Sequence, residues 1–353
     1  SVDTDDDNGN LARLIATHAS YMGCKKYKWA SEGKRNDIAP LPFGTEINMH
    51  KLSADSIVSE WGLENQKVCP SDRKDVLDLF FTKDEQSSRC TEGFLARPNL
   101  GSLIMGKHIT DQLDIRDGEG AKFIDALRDD LGDESGARLV VVGSVFGGTG
   151  ASVLPVAPDS IFKSLSANKN SGALNALKNS WGTLPKTAVM LMPYFQPVDA
   201  QDQDTETVDP SRFLADTKNA LSYYDVSGTA RKYEAVHLIG SDDPGRARLQ
   251  FCTGSSRQRN APSIEELAAA LACLESESEG GPIRVFNPAE NADRLRLKNF
   301  PWPRKEQDAI NFSIFLHAAC FCVRNRDVPM DRGIIQFVNQ MADTGELPLW
   351  PWV

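Results

Sequence analysis

Three short apolar runs, each stopped by a polar or Gly/Pro loop, constrain this chain more than any other feature. Arg138–Val142 (RLVVV) runs straight into Gly143-Ser-Val-Phe-Gly-Gly-Thr-Gly150. Thr187–Met192 (TAVMLM) is ended by Pro193, and Ala235–Ile239 (AVHLI) by Gly240-Ser-Asp-Asp-Pro244. Short apolar runs of this kind read as strands buried on both faces. Helical spacing precedes and separates these runs: Leu11–Tyr21, Leu103–Leu113 and Ala121–Leu131 come before the first, and residues 160–180 and Asp209–Tyr224 lie between them, the last opening with Asp-Pro-Ser. Residues 51–90 also read as helical, and Gly93–Gly101 as a loop broken by Pro98. Strands alternating with helices predict an α/β core with a largely parallel sheet flanked by helices. In such sheets ligands bind beyond the carboxyl ends of the strands, so the three loops are where chemistry is expected.

Beyond Pro244 the pattern changes. Glu265–Glu275 is an Ala/Leu helix, Ile283–Phe286 a short strand, and Asp308–Val323 a strongly apolar helix. The expected division is an α/β domain over residues 1–245 and a smaller, mainly helical region over 246–353. A net charge of −10 argues against non-specific nucleic-acid binding and against a polybasic membrane contact. No apolar run reaches membrane-spanning length, and no secretory signal opens the chain. The seven cysteines are odd in number and form no CxxC pair, which fits reduced thiols and a cytoplasmic location. The five histidines show no paired metal spacing, and His237, inside a strand, reads as a hydrogen-bonded core residue.

The loop after the first strand carries the sharpest signal. Strand, then Gly147-Gly148-Thr149-Gly150, then a helix is a phosphate-binding arrangement. Glycines let backbone approach phosphate without an intervening Cβ, and successive amides with a helix N-terminus supply donors. Thr149 and Ser152 add hydroxyls. No Lys-Ser/Thr follows at the Walker A offset, and the order is not GxGxxG, so a Rossmann oxidoreductase ranks last. The competing reading of the same residues is a tight turn.

Taken together, RPNLG, GSVFGGTGAS, MPYF, LIGSDD and the QRN…EEL segment resemble the tubulin/FtsZ family, and most closely its divergent bacterial tubulin-like GTPases. Gly147, Gly148, Thr149, Gly150 and Ala151 match the family's signature loop, with Pro155 in place. Phe146 replaces its first Gly and Ser152 its last. Asp3-Thr-Asp5 resembles the acidic loop near the metal and phosphates. Arg97-Pro-Asn99-Leu-Gly101 resembles the loop that senses the terminal phosphate, and Met192-Pro-Tyr-Phe195 the loop that meets the ribose. The resemblance implies GTP/GDP with Mg²⁺ as cofactors, self-association into filaments or oligomers, and room for further protein partners. It implies that Gly147–Ser152, Arg97, Asn99, Asp3 and Asp5 bind nucleotide. It also implies that Glu265 or Glu266 orients the attacking water in a neighbour's site, since Asn260-Ala-Pro-Ser-Ile-Glu265 keeps the ends of the family's catalytic segment. Pro262 stands where that segment has its middle acid. The family's first phosphate loop would precede Ser1, and residues 244–259 are too few for its long central helix. The alternative is a non-hydrolysing, nucleotide-dependent scaffold or sensor.

Each of these residues also has a plainer reading. Asp3 and Asp5 fit a solvated acidic loop, Asn99 a helix cap, and Asp242 and Asp243 turn formers before Pro244. Glu265 and Glu266 lie in a helix first turn, where the dipole alone favours acids.

Overall fold

The structure is a computed structural model that describes residues 2–3, 8–26, 47–50, 52–53, 78–83, 94, 98–115, 118–132, 136–167, 171–198, 213–241, 248–250, 263–274, 283–286, 300–301 and 310. Along the chain, β1 (Val2–Asp3) leads to α1 (Gly9–Lys26), then β2 (Leu52–Ser53), α2 (Pro98–Asp114) and α3 (Glu119–Gly132). Next come β3 (Leu139–Ser144), α4 (Gly148–Val153), α5 (Ala157–Ser166) and α6 (Ser171–Thr183). They are followed by β4 (Lys186–Leu191), β5 (Gln196–Val198), α7 (Phe213–Val226) and a 3-10 turn over Thr229–Lys232. The described elements close with β6 (Ala235–Ile239), β7 (Arg248–Gln250), α8 (Ile264–Leu274) and β8 (Ile283–Phe286).

Strands β3, β4, β6 and β8 form one sheet in that order, every pairing parallel. The protein is therefore α/β, with a four-stranded all-parallel sheet flanked by helices. On one sheet face Val141, Ala188, Met190 and Val236 pack beneath Leu154, Ala157, Ala220, Tyr224 and Tyr233. On the other, Val189 and Ile239 lie under Ala268, Ala269 and Ala272 of α8. Alanines on α8 let that helix lie close to the strands. A third core joins α2, α3, α5 and α6 through Leu100, Ile104, Ile124, Ile161, Leu165 and Leu177. The pairs β1–β2 and β5–β7 are separate two-stranded parallel ladders.

Helix α2 lies against α4 and α5 through small residues. Ser160 Oγ donates to Gly106 O at 3.2 Å, and Ser102 Oγ to Ser152 O at 3.4 Å. A Cβ on Gly101 would fall 2.8 Å from Ser152 Cβ, so only glycine allows this approach.

The break between α4 and α5 has a definite cause. In a helix, the carbonyls of Ala151 and Leu154 would accept from the amides four residues on. Those residues are Pro155 and Pro158, which have no N–H. Two tyrosine hydroxyls take their place: Tyr224 donates to Ala151 O and Tyr233 to Leu154 O, each at 2.6 Å. Lys232 Nζ donates to Pro155 O at 2.7 Å. Three carbonyls in a helical break are thus satisfied from α7 and the turn after it.

Several expectations are corrected. Pro98, read as a loop breaker, opens α2, where its missing N–H is harmless. Residues 160–180 are not one helix: α5 ends at Ser166 and α6 begins at Ser171. Within residues 51–90, Leu52–Ser53 is a strand paired with β1. Strand β3 is not buried on both faces, because β4 is its only partner among the described residues and Val142 is 48% exposed. The sheet itself is continuous across residue 245, since β8 pairs with β6 and α8 covers the β4–β6 face. The apolar stretch 308–323 lies outside the described residues except Ile310.

Candidate functional site

The carboxyl edge of the sheet is knitted at a common level. Beyond β3, β4 and β6, the first loop amide bonds the end of the neighbouring strand: Val145 N to Leu191 O (2.9 Å), Met192 N to Ile239 O (2.7 Å) and Gly240 N to Phe286 O (3.2 Å). Three loop roots therefore emerge side by side.

The loop Val145–Gly147 turns out of β3 directly into α4. Gly147 is the helix N-cap, with extended backbone and no side chain to cap the first turn. The leading amides of Gly148, Thr149 and Gly150 have no partner inside the helix, as at any helix start, and a glycine cap offers them no side chain. The helix start is pressed back onto the strand. A Cβ on Gly150 would lie 2.5 Å from Ser144 N and 2.7 Å from Ser144 O, and one on Gly143 would meet Gly150 Cα at 3.1 Å. A Cβ on Gly147 would lie 2.6 Å from Ser144 Oγ. Ser144 thus sets its hydroxyl into the loop beside Gly147 and Gly150, a position that the sequence reading did not single out. Ser144 belongs to a strand in sequence, and only the fold-back of α4 brings the glycines to it.

Other expected phosphate residues fall in different places. Thr149 is partly exposed in the first turn. Ala151 is buried, and its carbonyl accepts from Tyr224. Ser152 faces α2, fully buried, and its hydroxyl shares its one proton between Gly148 O at 2.5 Å and Pro98 O at 3.3 Å. Four residues along the helix from Gly148, it sits on the inner face. Asn99 is exposed in the first turn of α2, the helix that packs on α4 through Pro98, Gly101 and Ser102. The structure therefore packs the start of α2 against Ser152, in the last turn of α4. Asp3 ends β1, while Asp5 and Arg97 lie outside the described residues. Among the described residues no group of three or more His, Cys, Asp or Glu suits a metal ion.

Glu265 and Glu266 occupy the first turn of α8. Glu266 is tied down twice. Its Oε2 accepts from Ser263 N while Ser263 Oγ accepts from Glu266 N, both at 3.1 Å, which is a capping box. Its Oε1 accepts from the Tyr194 hydroxyl at 2.8 Å. Burial, then the Glu266 carboxylate, pushes that hydroxyl well above the ordinary tyrosine range. Glu265 is buried. Tyr194 follows β4, so this turn lies on the same edge of the sheet as the chain's own Gly-rich loop. The resemblance had put these acids in a neighbour's site. Ser263-x-x-Glu266 is a legible capping signature that the sequence reading passed over. Glu266→Ala removes both bonds, and thermal melts should show a loss of about 1–3 kcal/mol.

Aromatic rings fill the space between these parts. Phe146 meets Phe213 at 4.9 Å, Phe195 at 5.4 Å and Tyr194 at 5.8 Å between ring centroids. Phe146, read from sequence only as a departure from a glycine, is the hub of this cluster.

Fold and site together define an α/β protein whose parallel sheet presents a glycine-rich, uncapped helix start at its carboxyl edge. No protein-family model, curated protein or solved structure matches the chain. No described helix is long and apolar enough to cross a membrane.

Proposed function

We propose that this chain is a tubulin-like protein that binds GTP at Gly147–Gly150 and self-associates in response. One observation carries the binding half of the reading: an uncapped helix start, held hard against β3 by Gly143 and Gly150 at the carboxyl edge of a parallel sheet. Backbone amides and the positive end of a helix suit a phosphate chain. GTP as the nucleotide, Mg²⁺ as its counter-ion and self-association rest on the resemblance of the loops.

Gly148→Val is expected to abolish GTP binding, because branched carbons would stand where phosphate belongs. Binding is read by equilibrium titration of GTP against ATP, with pelleting in the same tubes and circular dichroism to establish the fold. Normal GTP binding by a folded Gly148→Val protein would sink the assignment.

A specific observation favours a second reading, a nucleotide-dependent scaffold or sensor that does not turn over. Glu266 is held by its capping box and by Tyr194, and Glu265 is buried, so neither is presented to an attacking water. Phosphate release at catalytic rates, lost in the Glu265→Ala plus Glu266→Ala variant, would exclude this second reading.

A further inference from the structure

We infer that Tyr194 is a positioning residue that joins the Gly-rich loop to the first turn of α8, so that a change at either end alters the other. The path is continuous. Phe146 precedes the helix cap Gly147 in the chain, so any reorientation of Gly147 carries its ring along. That ring packs edge-on against Tyr194, which is only 7% exposed, and against Phe195, whose ring lies 5.2 Å from that of Tyr194. Closely packed rings have no free volume in which to absorb a displacement singly. The Tyr194 hydroxyl then ends on Glu266 Oε1, while the second oxygen of the same carboxylate closes the α8 cap on Ser263 N. One carboxylate therefore holds the β4 loop and the α8 start together.

The linkage is reciprocal, since coupling between two sites acts equally in both directions. Loosening the α8 end must loosen the Gly-rich loop even with no ligand present. The ligand-free half of the inference stands on geometry alone. The half in which nucleotide occupancy is transmitted to α8 rests on the proposed GTP reading.

Amide hydrogen exchange on the whole chain tests both halves. The reporters are Ala151, whose amide bonds Gly147 O, Leu154, whose amide bonds Gly150 O, and Leu267, whose amide bonds Ser263 O. Tyr194→Phe keeps the ring and removes only the hydroxyl. Without ligand, it is expected to speed exchange at Ala151, Leu154 and Leu267 roughly tenfold, the factor for one lost charge-assisted hydrogen bond. The amides of α6, which this path does not touch, keep wild-type rates. Unchanged exchange at Ala151 and Leu154 overturns the inference, as does an equal rise in α6, which would mark plain destabilisation. With GTP added, slowed exchange at Ala151 accompanied by a change at Leu267 in the wild type but not in Tyr194→Phe extends the linkage to the ligand. A slowed Ala151 with an identical Leu267 response in both proteins overturns that extension. No GTP effect at Ala151 in either protein counts against the nucleotide reading and leaves the ligand-free result to decide the linkage.

Discussion

Gly150→Ala lowers the stability of this protein by about 3 kcal/mol or more, although the same substitution in an ordinary helix raises it. Gly150 is helical, and alanine is favoured over glycine in a helix by roughly 0.5–1 kcal/mol. With nothing behind the residue, the substitution would stabilise. Here the new carbon lands 2.5 Å from Ser144 N, 2.7 Å from Ser144 O and 3.0 Å from Ser144 Oγ. Two of these neighbours are backbone and cannot swing aside. Relief means lifting α4 off β3, which strains the Val145–Leu191 bond that roots the loop. Gly143→Ala meets α4 from the other side, at 3.1 Å, and is expected to destabilise by a smaller amount, on the order of 1–2 kcal/mol. Denaturant unfolding of both variants decides the matter through the sign of the change. A Gly150→Ala protein as stable as the wild type would mean that α4 does not lie against the strand.

The second large effect is at the paired tyrosines. Tyr224→Phe and Tyr233→Phe should each lose about 1–3 kcal/mol, because each leaves a carbonyl in the α4–α5 break without its donor. The combined variant should lose the sum or slightly more, since both serve one short segment. The prolines supply a sharper test. Pro155→Ala restores an amide to Ala151 O, and Pro158→Ala restores one to Leu154 O. Each should recover part of the loss when combined with the matching Tyr→Phe, and should do little for the other. Failure of this matched recovery would break the argument that the hydroxyls replace missing amides. Alkaline titration gives an independent readout. Burial first, then neighbouring charge or hydroxyl, holds Tyr194, Tyr224 and Tyr233 above the usual tyrosine range. The folded state therefore binds these protons more tightly than the unfolded chain does. Their contribution is fully present below about pH 10 and is lost as pH rises beyond it. Each Tyr→Phe change should flatten that decline by about 1.4 kcal/mol per pH unit.

Much of the scaffold was legible before any coordinates. Ala235–Ile239 and Ile283–Phe286 are strands over those same residues, and α8 and α3 fall within two residues of their expected bounds. Apolar periodicity reports these elements because each buries one face against a neighbour, and burial is what the periodicity records. The Gly-rich turn after β3 was legible for a related reason. A run of glycines after an apolar strand has few uses other than a close approach of backbone to backbone or to ligand.

Side-chain direction was not legible. Ser152 and Ser144 are two hydroxyls near one loop. The sequence favoured Ser152, yet the fold buries it against α2 and sets Ser144 beside the glycines. Which face of a short helix points inward depends on where its neighbour lies, and that neighbour comes from a distant stretch of chain. The same reason covers Glu266, whose partner Tyr194 is 72 positions away, and the tyrosines, which reach back 73 and 79 positions to carbonyls that two prolines had left open. The sequence by itself determined where strands, helix starts and breaks occur, because those follow from local sterics and hydrophobic spacing. Only the tertiary structure decided which polar groups face one another, because that depends on contacts between segments remote in the chain.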